Sequence, residues 1–195
     1  MKSFPLLVAL AALALDVGCR SVPPGTDLVN GGFEQPLDSG WQTARGGDIR
    51  AATFERRRDL GQPDTGWAVR VEQEGQGYAR LVQTVSIGDE AYAFGFTARL
   101  SISGSLSCIP IAAVLLRYLD EAGSELGSTR WYRAAPDCNW ISSDTCHLIP
   151  IAENASWTGY QLNLPDELVL NLPGIAAERV RRVTVELAAF VMASG

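Results

Sequence analysis

The residues best suited to chemistry lie in one stretch, residues 133–156. It contains the thiols of Cys138 and Cys146, the indole of Trp140, and His147, which is the only histidine of the chain. A serine or cysteine nucleophile with a histidine base would have to use His147, yet no Gly-x-Ser-x-Gly elbow and no Walker loop is present. No Cys-x-x-Cys pair supports zinc. Carboxylate pairs suited to glycoside hydrolysis stand in no recognisable context. The sequence therefore predicts a protein without catalytic activity.

The N-terminus has the layout of an export signal. After Lys2, an apolar run covers residues 4–15 and is shorter than the roughly 20 residues that span a bilayer as a helix. Residues 17–19, Val-Gly-Cys, resemble the end of a bacterial lipobox. That resemblance implies that residues 1–18 are removed and that Cys19 is lipidated. The alternative is ordinary cleavage near residues 12–14, which leaves Cys19 as a spare thiol.

The rest of the chain comprises a short tether, residues 19–27, and one domain, residues 28–195. This length is sufficient to bury the core of a single domain. The formal net charge is −6 and Lys2 is the only lysine, which argues against a nucleic-acid partner. We expect an exported protein that contacts the membrane only through its lipid anchor. It would be an outer-membrane or cell-surface lipoprotein, and otherwise periplasmic or secreted.

The remaining cysteines predict one disulfide. If Cys19 carries lipid, three cysteines are left, and in an oxidising compartment one bridge and one free thiol are the default. Cys138 and Cys146 are eight residues apart in a turn-rich segment and form the best local pair. A bridge from Cys108 to either of them is the rival pairing. A local bridge would order the 133–156 insertion, which we expect to be a contact loop or a spacer.

Strand-like patterning covers the domain. Apolar and polar residues alternate, or apolar residues run continuously, in residues 67–72, 81–87, 92–100, 113–119, 128–133, 157–164 and 179–190. Turn residues recur at intervals of about ten, which is typical of a β-sandwich. No segment shows a helical stripe, although residues 166–177 could hold a short strand or a helical turn.

The alternation separates a core face from a polar face. Residues predicted in the core are Val69, Val71, Leu81, Val85, Phe94, Phe96 and Leu187, and Trp41 and Trp157 are also expected there. Arg70, Arg99 and Arg117 are predicted on the opposite face. Arginine forks and aromatic rings suit sugar hydroxyls and pyranose faces, so the candidate ligand-binding residues are Arg70, Arg99, Arg117, Trp131 and Trp140. The alternative is a solvated arginine face with tryptophans in the core.

An ordered series of short motifs extends across residues 28–190. The series is Leu28–Glu34 (LVNGGFE), Gly40-Trp41, Ala68–Val71, Leu81–Val85, Phe96–Arg99, Asp120–Gly123, Trp157–Tyr160 and Val183–Val185. In this order the motifs resemble carbohydrate-binding modules of the family 4/9 type, which are galactose-binding-like jelly rolls. The 133–156 insertion departs from the short connection that such modules usually have.

This resemblance implies a fold and a function. The fold would be an all-β jelly-roll sandwich in one domain, and the function would be non-catalytic binding of a glycan or cell-wall polysaccharide. The alternative is a structural or protein-interaction sandwich without sugar affinity. The resemblance also implies a structural calcium ion held by Glu34 and by an acid near the end of the last strand. Residues 188–195 contain no acid, so the sequence supports only half of that calcium site.

Overall fold

The computed structural model of the chain describes residues 6–14, 28–60, 66–88, 92–102, 108–135, 140–151 and 157–193, with the backbone alone for residues 6–14, 108 and 193. The strands are β1 (Leu6–Ala14), β2 (Gln42–Gly46), β3 (Ile49–Arg57), β4 (Ala68–Gly75), β5 (Gly77–Ser86), β6 (Ala93–Leu100), β7 (Cys108–Leu119), β8 (Glu125–Ala134), β9 (Cys146–Pro150), β10 (Thr158–Asn163) and β11 (Arg182–Ala193). A short helix, α1 (Leu164–Leu170), and a 3₁₀ turn at Ala177–Arg179 lie between β10 and β11.

The strands form two sheets, which confirms the predicted all-β sandwich. Sheet A has the order β10-β6-β1-β4-β3, and sheet B has the order β2-β5-β11-β7-β8-β9. Neighbouring strands are antiparallel except β8 and β9, which run parallel. At the centre of sheet B, β11 pairs with β5 and with β7 along nearly its whole length. Sheet B is therefore built entirely from residues 42–193.

The main core lies between the sheets and follows the predicted alternation. The predicted core residues are fully or nearly buried, except Val85 and Trp157, which are both half-buried. Each large aliphatic or aromatic side chain buried in this way contributes about 1.5–3 kcal/mol to folding. The period of two thus assigns the inward positions correctly, because successive side chains of a strand point to opposite faces.

The opening motif anchors the N-terminal turn of the domain in this core. Asn30 and Phe33 both adopt left-handed backbone conformations, with φ of 54° and 57°. Asn30 stabilises the turn by accepting a hydrogen bond from the Gln35 amide and donating to two backbone carbonyls. Phe33 is fully buried, and its ring centroid lies 5.4 Å from that of Trp41. The Asn-Gly-Gly-Phe turn therefore places Phe33 in the core, where it packs against Trp41.

Gln83 ties this turn to sheet B. Its side chain points into the core and is 6% exposed. Its amide oxygen accepts from the Val29 N–H at 2.6 Å, and its amide nitrogen donates to the Val29 and Gly40 carbonyls, each at 2.9 Å. An inward polar residue breaks the apolar pattern of β5, and these backbone partners offset the cost of burying it.

Strand β3 and the order within the 133–156 insertion were not foreseen from the sequence. Strand β3 was missed, because its Glu55–Arg57 end looks like a plain charge run. The 133–156 insertion is not a structureless loop, since it contributes β9 to the edge of sheet B through pairing with β8. Of the short strand and the helical turn that the sequence left open for residues 166–177, the structure has helical segments, namely α1 and the 3₁₀ turn. Asn163 caps α1 by accepting from the Asp166 N–H, and Pro165 occupies the first turn, where its missing N–H costs nothing.

The N-terminal apolar segment lies in the middle of sheet A. Strand β1 pairs antiparallel with β4 on one side and with β6 on the other. Leu10, for example, is in register with Val69 and with Ala98. Cys19 and the tether lie outside the described residues, so removal of residues 1–18 and lipidation remain predictions. No helix in the described ranges combines the length and apolar character needed to cross a bilayer.

We expect Gln83→Leu to lower the free energy of unfolding by about 1–3 kcal/mol, because it leaves buried backbone groups of Val29 and Gly40 without partners. Urea denaturation measures the loss. The matched control is Gln42→Leu, which makes the same change at an exposed position of β2 and should alter stability by less than about 0.5 kcal/mol. Equal stability of the two variants would contradict this role of Gln83.

Candidate functional site

The three arginines predicted on one face lie on two different sheets. Arg70 in β4 and Arg99 in β6 lie on the outer face of sheet A, whereas Arg117 in β7 lies on the outer face of sheet B. The prediction of a single arginine face is therefore wrong. Alternation shows which residues point away from the core, but a sandwich has two outer faces and the period does not distinguish them.

Arg70 is bound to a neighbouring carboxylate. Its guanidinium contacts Glu72, two residues along β4 on the same face, and the Glu72 side chain is only 13% exposed. Arg70 and Arg99 stand in register on either side of Ala9 in β1. Arg70 would have to give up a sheltered ion pair before it could bind a ligand.

Arg117 belongs to a network of four charged residues on sheet B, Arg80, Arg117, Glu125 and Glu186. The Nε of Arg117 lies 2.7 Å from Glu186 Oε1, and its Nη1 lies 2.7 Å from Glu125 Oε2. Arg80 approaches Glu186 from β5 at 3.5 Å, and the Glu186 side chain is 4% exposed. Burial opposes the charge on Arg117, but the carboxylates of Glu186 and Glu125 outweigh it and raise the pKa of Arg117. This network is structural.

Arg99 is differently placed. It makes no ion pair within the described part of the chain, and its guanidinium lies over the ring of Trp157, 5.3 Å from the centroid. Trp157 is half-buried rather than in the core, which corrects the prediction. The indole N–H donates to the Leu60 carbonyl at 3.2 Å and so fixes the ring. The cation–π contact orients Arg99 without neutralising it.

Neither of the predicted tryptophans is a free stacking platform. Trp131 is 3% exposed and packs edge-on against Phe96 with centroids 5.0 Å apart, so its assignment as a ligand contact is wrong. Trp140 is half-buried on the outer face of sheet B, where its ring lies 5.1 Å from that of Tyr132. It helps to cover a small second core formed by Ile111, Ala113, Leu115 and Ala188.

An open furrow runs along the outer face of sheet A between β6 and β10. It is lined by residues 93–97 and 159–163 and encloses about 850 Å³. The inward positions of both strands hold core residues such as Phe96 and Leu162. The outward positions are Ala93, Gly95, Thr97, Gly159, Gln161 and Asn163. Gly95 and Gly159 have no side chain to fill the furrow, and the side chain of Gln161 makes no hydrogen bond to another described residue.

Arg99 and Trp157 lie at one end of this furrow. Arg99 follows Thr97 by two residues on the same face of β6, and Trp157 precedes Gly159 by two residues at the start of β10. Since a strand rises about 3.3–3.4 Å per residue, Arg99 stands roughly 7 Å beyond Thr97. The furrow thus has amide groups along its length and a cation on an aromatic ring at its end.

The polar lining of the furrow was not predicted from the sequence, although the alternation of residues along β10 indicates it. Tyr160 and Leu162 pack against or in the core, which places Gly159, Gln161 and Asn163 on the outside of β10. The pairing of Gly159 with Thr97, which builds the floor, cannot be deduced from either strand alone.

His147 and the cysteines form no nucleophilic site. His147 Nδ1 lies 2.7 Å from Oε1 of the buried Glu167, which also accepts from the Thr129 hydroxyl. Cys146 is a free thiol in the described part of the chain, and its Sγ lies 3.7 Å from Ser128 Oγ. Cys138 and the side chain of Cys108 lie outside the described residues, so the Cys138–Cys146 disulfide and its rival remain predictions.

The carboxylate of Glu167 is held by a chain of hydrogen bonds beneath α1. Tyr118 Oη lies 2.7 Å from the Thr129 hydroxyl, and Asn171 donates to the second carboxylate oxygen at 2.7 Å. Burial raises the pKa of Tyr118 well above its usual range. Every member of this chain has a partner, which explains how α1 docks on sheet B but leaves no group directed at a substrate.

No metal centre is apparent around Glu34. Its side chain is exposed and turns back towards Gly32, where a Cβ atom would lie 2.0 Å from the carboxylate oxygen Oε1. The described ranges contain no group of three or more His, Cys, Asp or Glu side chains that could hold a metal ion. Glu34 therefore belongs to no such group in the described structure, and the calcium site stays a prediction.

We expect Glu186→Gln to destabilise the fold by about 1–3 kcal/mol, because it removes the shared counter-charge of Arg80 and Arg117. The loss should stay below that of a fully buried pair, since both arginines keep a quarter of their surface in solvent. Chemical denaturation measures it, with Glu121→Gln at an exposed turn as the control. Identical midpoints for the two variants would show that the network contributes nothing.

Comparison with known proteins identifies no family for this chain. No protein-family model and no curated protein matches the chain. Among solved structures, the chain is similar to the enzymatically active domain of tailspike protein 4 of bacteriophage CBA120, with 16% identity and a TM-score of 0.48. The match covers 90% of this chain but 20% of the other, so the chain spans about a fifth of that structure.

Proposed function

We propose that this chain is a non-catalytic carbohydrate-binding protein of the bacterial cell envelope, exported and lipid-anchored through Cys19. The observation that carries the proposal is the open furrow between β6 and β10, with Arg99 at its end. The Arg99 cation is oriented by Trp157 and forms no ion pair with a described residue. The ordered motifs that resemble carbohydrate-binding modules support the same function. The ligand would be a polysaccharide or another glycan.

The shape of the furrow suits a chain of sugar rings. It is open along its length, so a polymer could lie in it without threading an end. Its floor is backbone and small side chains, which permits close approach. Gln161 offers a planar amide that donates to and accepts from sugar hydroxyls, and Asn163 offers the donors of its amide nitrogen, since its amide oxygen caps α1. Such bonds replace bonds to water with little net gain, so we expect weak binding, with a Kd of about 1 µM–1 mM.

Arg99 favours sugars that carry an acidic group. Its fork of donors matches a carboxylate or sulfate, and the Trp157 ring holds it in place. The chain has a net charge of −6, which opposes an acidic polymer at long range. Salt screens that repulsion beyond about 8–10 Å, so the local contact with Arg99 determines whether an acidic sugar binds.

The lining of the furrow also favours binding without catalysis. Glycoside hydrolysis normally needs two carboxyl groups about 5–10 Å apart across the scissile bond. The described lining of the furrow, residues 93–97 and 159–163, contains no Asp or Glu. His147, the one histidine, is bound to Glu167 on sheet B.

A second candidate is a structural or protein-interaction sandwich without sugar affinity. It is favoured by Arg70 and Arg117, which are both engaged with carboxylates as a structural surface would have them. The exposed Ile141, 85% accessible beside Trp140, would suit a protein contact on sheet B. The furrow on sheet A has no role under this candidate, and binding measurements separate the two.

We expect Gly159→Leu to abolish polysaccharide binding while leaving the fold intact. A Cβ atom at position 159 meets no atom within 4 Å, so the new side chain fills the furrow without a clash. Arg99→Ala should weaken binding of a polyuronate at least about tenfold and binding of a neutral β-glucan much less. Isothermal titration after a glycan-array screen measures both effects.

The matched control is Gly66→Leu, which adds the same side chain at another glycine with open space around its Cβ position, near the β4 side of sheet A. It should bind as the unmodified protein does. If no glycan on the array binds the unmodified protein, or if Gly159→Leu binds as well as it does, the furrow is not a glycan site and the interaction candidate replaces it.

Lipid anchoring is tested separately from glycan binding. When the chain is produced in a bacterium, radiolabelled palmitate should enter the protein and should not enter Cys19→Ala. Cys146→Ala is the control for labelling at another thiol and should be labelled normally. Equal labelling of the protein and Cys19→Ala, or a mature N-terminus near residues 12–14, would contradict acylation of Cys19.

A further inference from the structure

The segment that fills the centre of sheet A is the segment that export would remove. Residues 6–14 form β1, while Cys19 can become a lipidated N-terminus only if residues 1–18 are cut away. A mature molecule cannot contain β1 and also have a lipidated Cys19 as its N-terminus. This inference rests on the proposed export and processing, and it concerns what then happens to sheet A.

Loss of β1 would open a slot one strand wide. Neighbouring strands lie about 4.7–4.9 Å apart, so β4 and β6 face each other across roughly 9–10 Å. Each strand then presents a row of backbone N–H and C=O groups that had been paired with β1. Such unpaired edges template the addition of another strand.

The slot also leaves a gap in the core. Val69 and Val71 of β4 and Ala98 and Leu100 of β6 are at most 1% exposed with β1 in place. Val8 is in register with Val71 and Leu100, and Leu10 is in register with Val69 and Ala98. Without a strand between them, these apolar positions would face a void or water, which is costly in a close-packed interior.

The two strands are not free to close the slot by themselves. Strand β4 joins β5 of sheet B through the single residue Gln76, flanked by Gly75 and Gly77. A Cβ atom at Gly77 would lie 2.1 Å from the Gly46 carbonyl oxygen, so this corner is tightly packed. On the other side, β6 pairs with β10 across six residues. Bringing β4 to β6 would displace one of these attachments.

We propose that the processed protein captures, in the slot between β4 and β6, a β-strand from a separate polypeptide. The captured strand runs antiparallel to β4 and to β6, as β1 does. It carries aliphatic residues at the two positions in register with Val71 and Val69. Between these it carries a small or acidic residue, at the position flanked by Arg70 and Arg99 on the outer face of sheet A.

The described strands and the sequence of the tether offer no evident substitute. All described strands other than β1 are already paired in one of the two sheets. A second copy processed in the same way therefore has no unpaired strand, in that part of the chain, to insert into the slot. The tether contains Pro23 and Pro24, which lack the N–H groups that a central strand must donate to its neighbours. A strand supplied by a partner satisfies the backbone groups on both edges at once, which is the mode known as β-strand addition.

The experiment uses the chain processed in a bacterium and a fluorescent synthetic peptide with the sequence of residues 6–14. Mass spectrometry first establishes the mature N-terminus. We expect saturable binding by fluorescence anisotropy, and a rise in the melting temperature of the processed protein when the peptide is added. The unprocessed full-length chain should bind at least about tenfold more weakly, because its slot is already occupied.

Two peptide variants show whether binding uses the slot. A peptide with alternate backbone nitrogens methylated lacks ladder donors, and a V8D/L10D peptide places charge at the two positions in register with Val71 and Val69. Each should bind at least about tenfold more weakly than the parent peptide. A nonspecific apolar interaction would tolerate the methylation, which leaves the side chains unchanged.

Several outcomes would overturn the proposal. One is a mature protein that still contains residues 6–14, since its slot is never vacant. Another is a processed protein that does not bind the peptide. A third is a processed protein that forms a dimer which the peptide does not dissociate, because a second copy then occupies the slot. Glycan binding at the furrow, titrated on the same preparation, shows independently whether the proposed function holds.

Discussion

The constraint on which the sandwich depends is that a strand inside a sheet must satisfy backbone hydrogen bonds along both edges. In sheet B, residues 42–193 satisfy this constraint by themselves, since β11 is paired on both sides along nearly its whole length. Sheet A meets it only through β1, which joins the β3–β4 half to the β6–β10 half. The two sheets therefore differ in robustness. Sheet B is a complete scaffold, and sheet A is two strand pairs linked by a segment with the composition of an export signal.

That division explains where a binding site can lie. The furrow belongs to the β6–β10 half, whose pairing does not pass through β1, and its floor is set by the register of Gly159 on Thr97. Arg70 lies in the other half and is neutralised by Glu72. A ligand site confined to one half keeps its geometry whether β1 or another strand fills the slot. A site spanning Arg70 and Arg99 would change with each occupant.

The sequence predicted the sandwich and its core because a period of two follows directly from strand geometry. It could not predict which strands are neighbours, since pairing depends on contacts between distant residues. For that reason Arg117 was grouped with Arg99, although they lie on different sheets, and Trp131 was assigned to a ligand rather than to the packing around Phe96. Strand β3 was missed because its charged end masks a strand that β4 holds in place. Gln83 breaks the apolar pattern, and only the fold shows that the Val29 and Gly40 backbone bonds stabilise it.

The arginines show how far composition can mislead about function. An arginine-rich sheet face suggests an anion site, but a cation with a nearby carboxylate has already exchanged much of its hydration for that partner, and a ligand must break the pair before it gains anything. Arg117 is committed to Glu186 and Glu125, and Arg70 to Glu72. Arg99 lies on an aromatic ring, which fixes its position while leaving its donors available. Under the proposed function, recognition of an acidic sugar would therefore depend on Arg99, the one arginine of the three whose charge is not engaged with a carboxylate in the described structure. The number of arginines on the surface is a poor guide to such recognition.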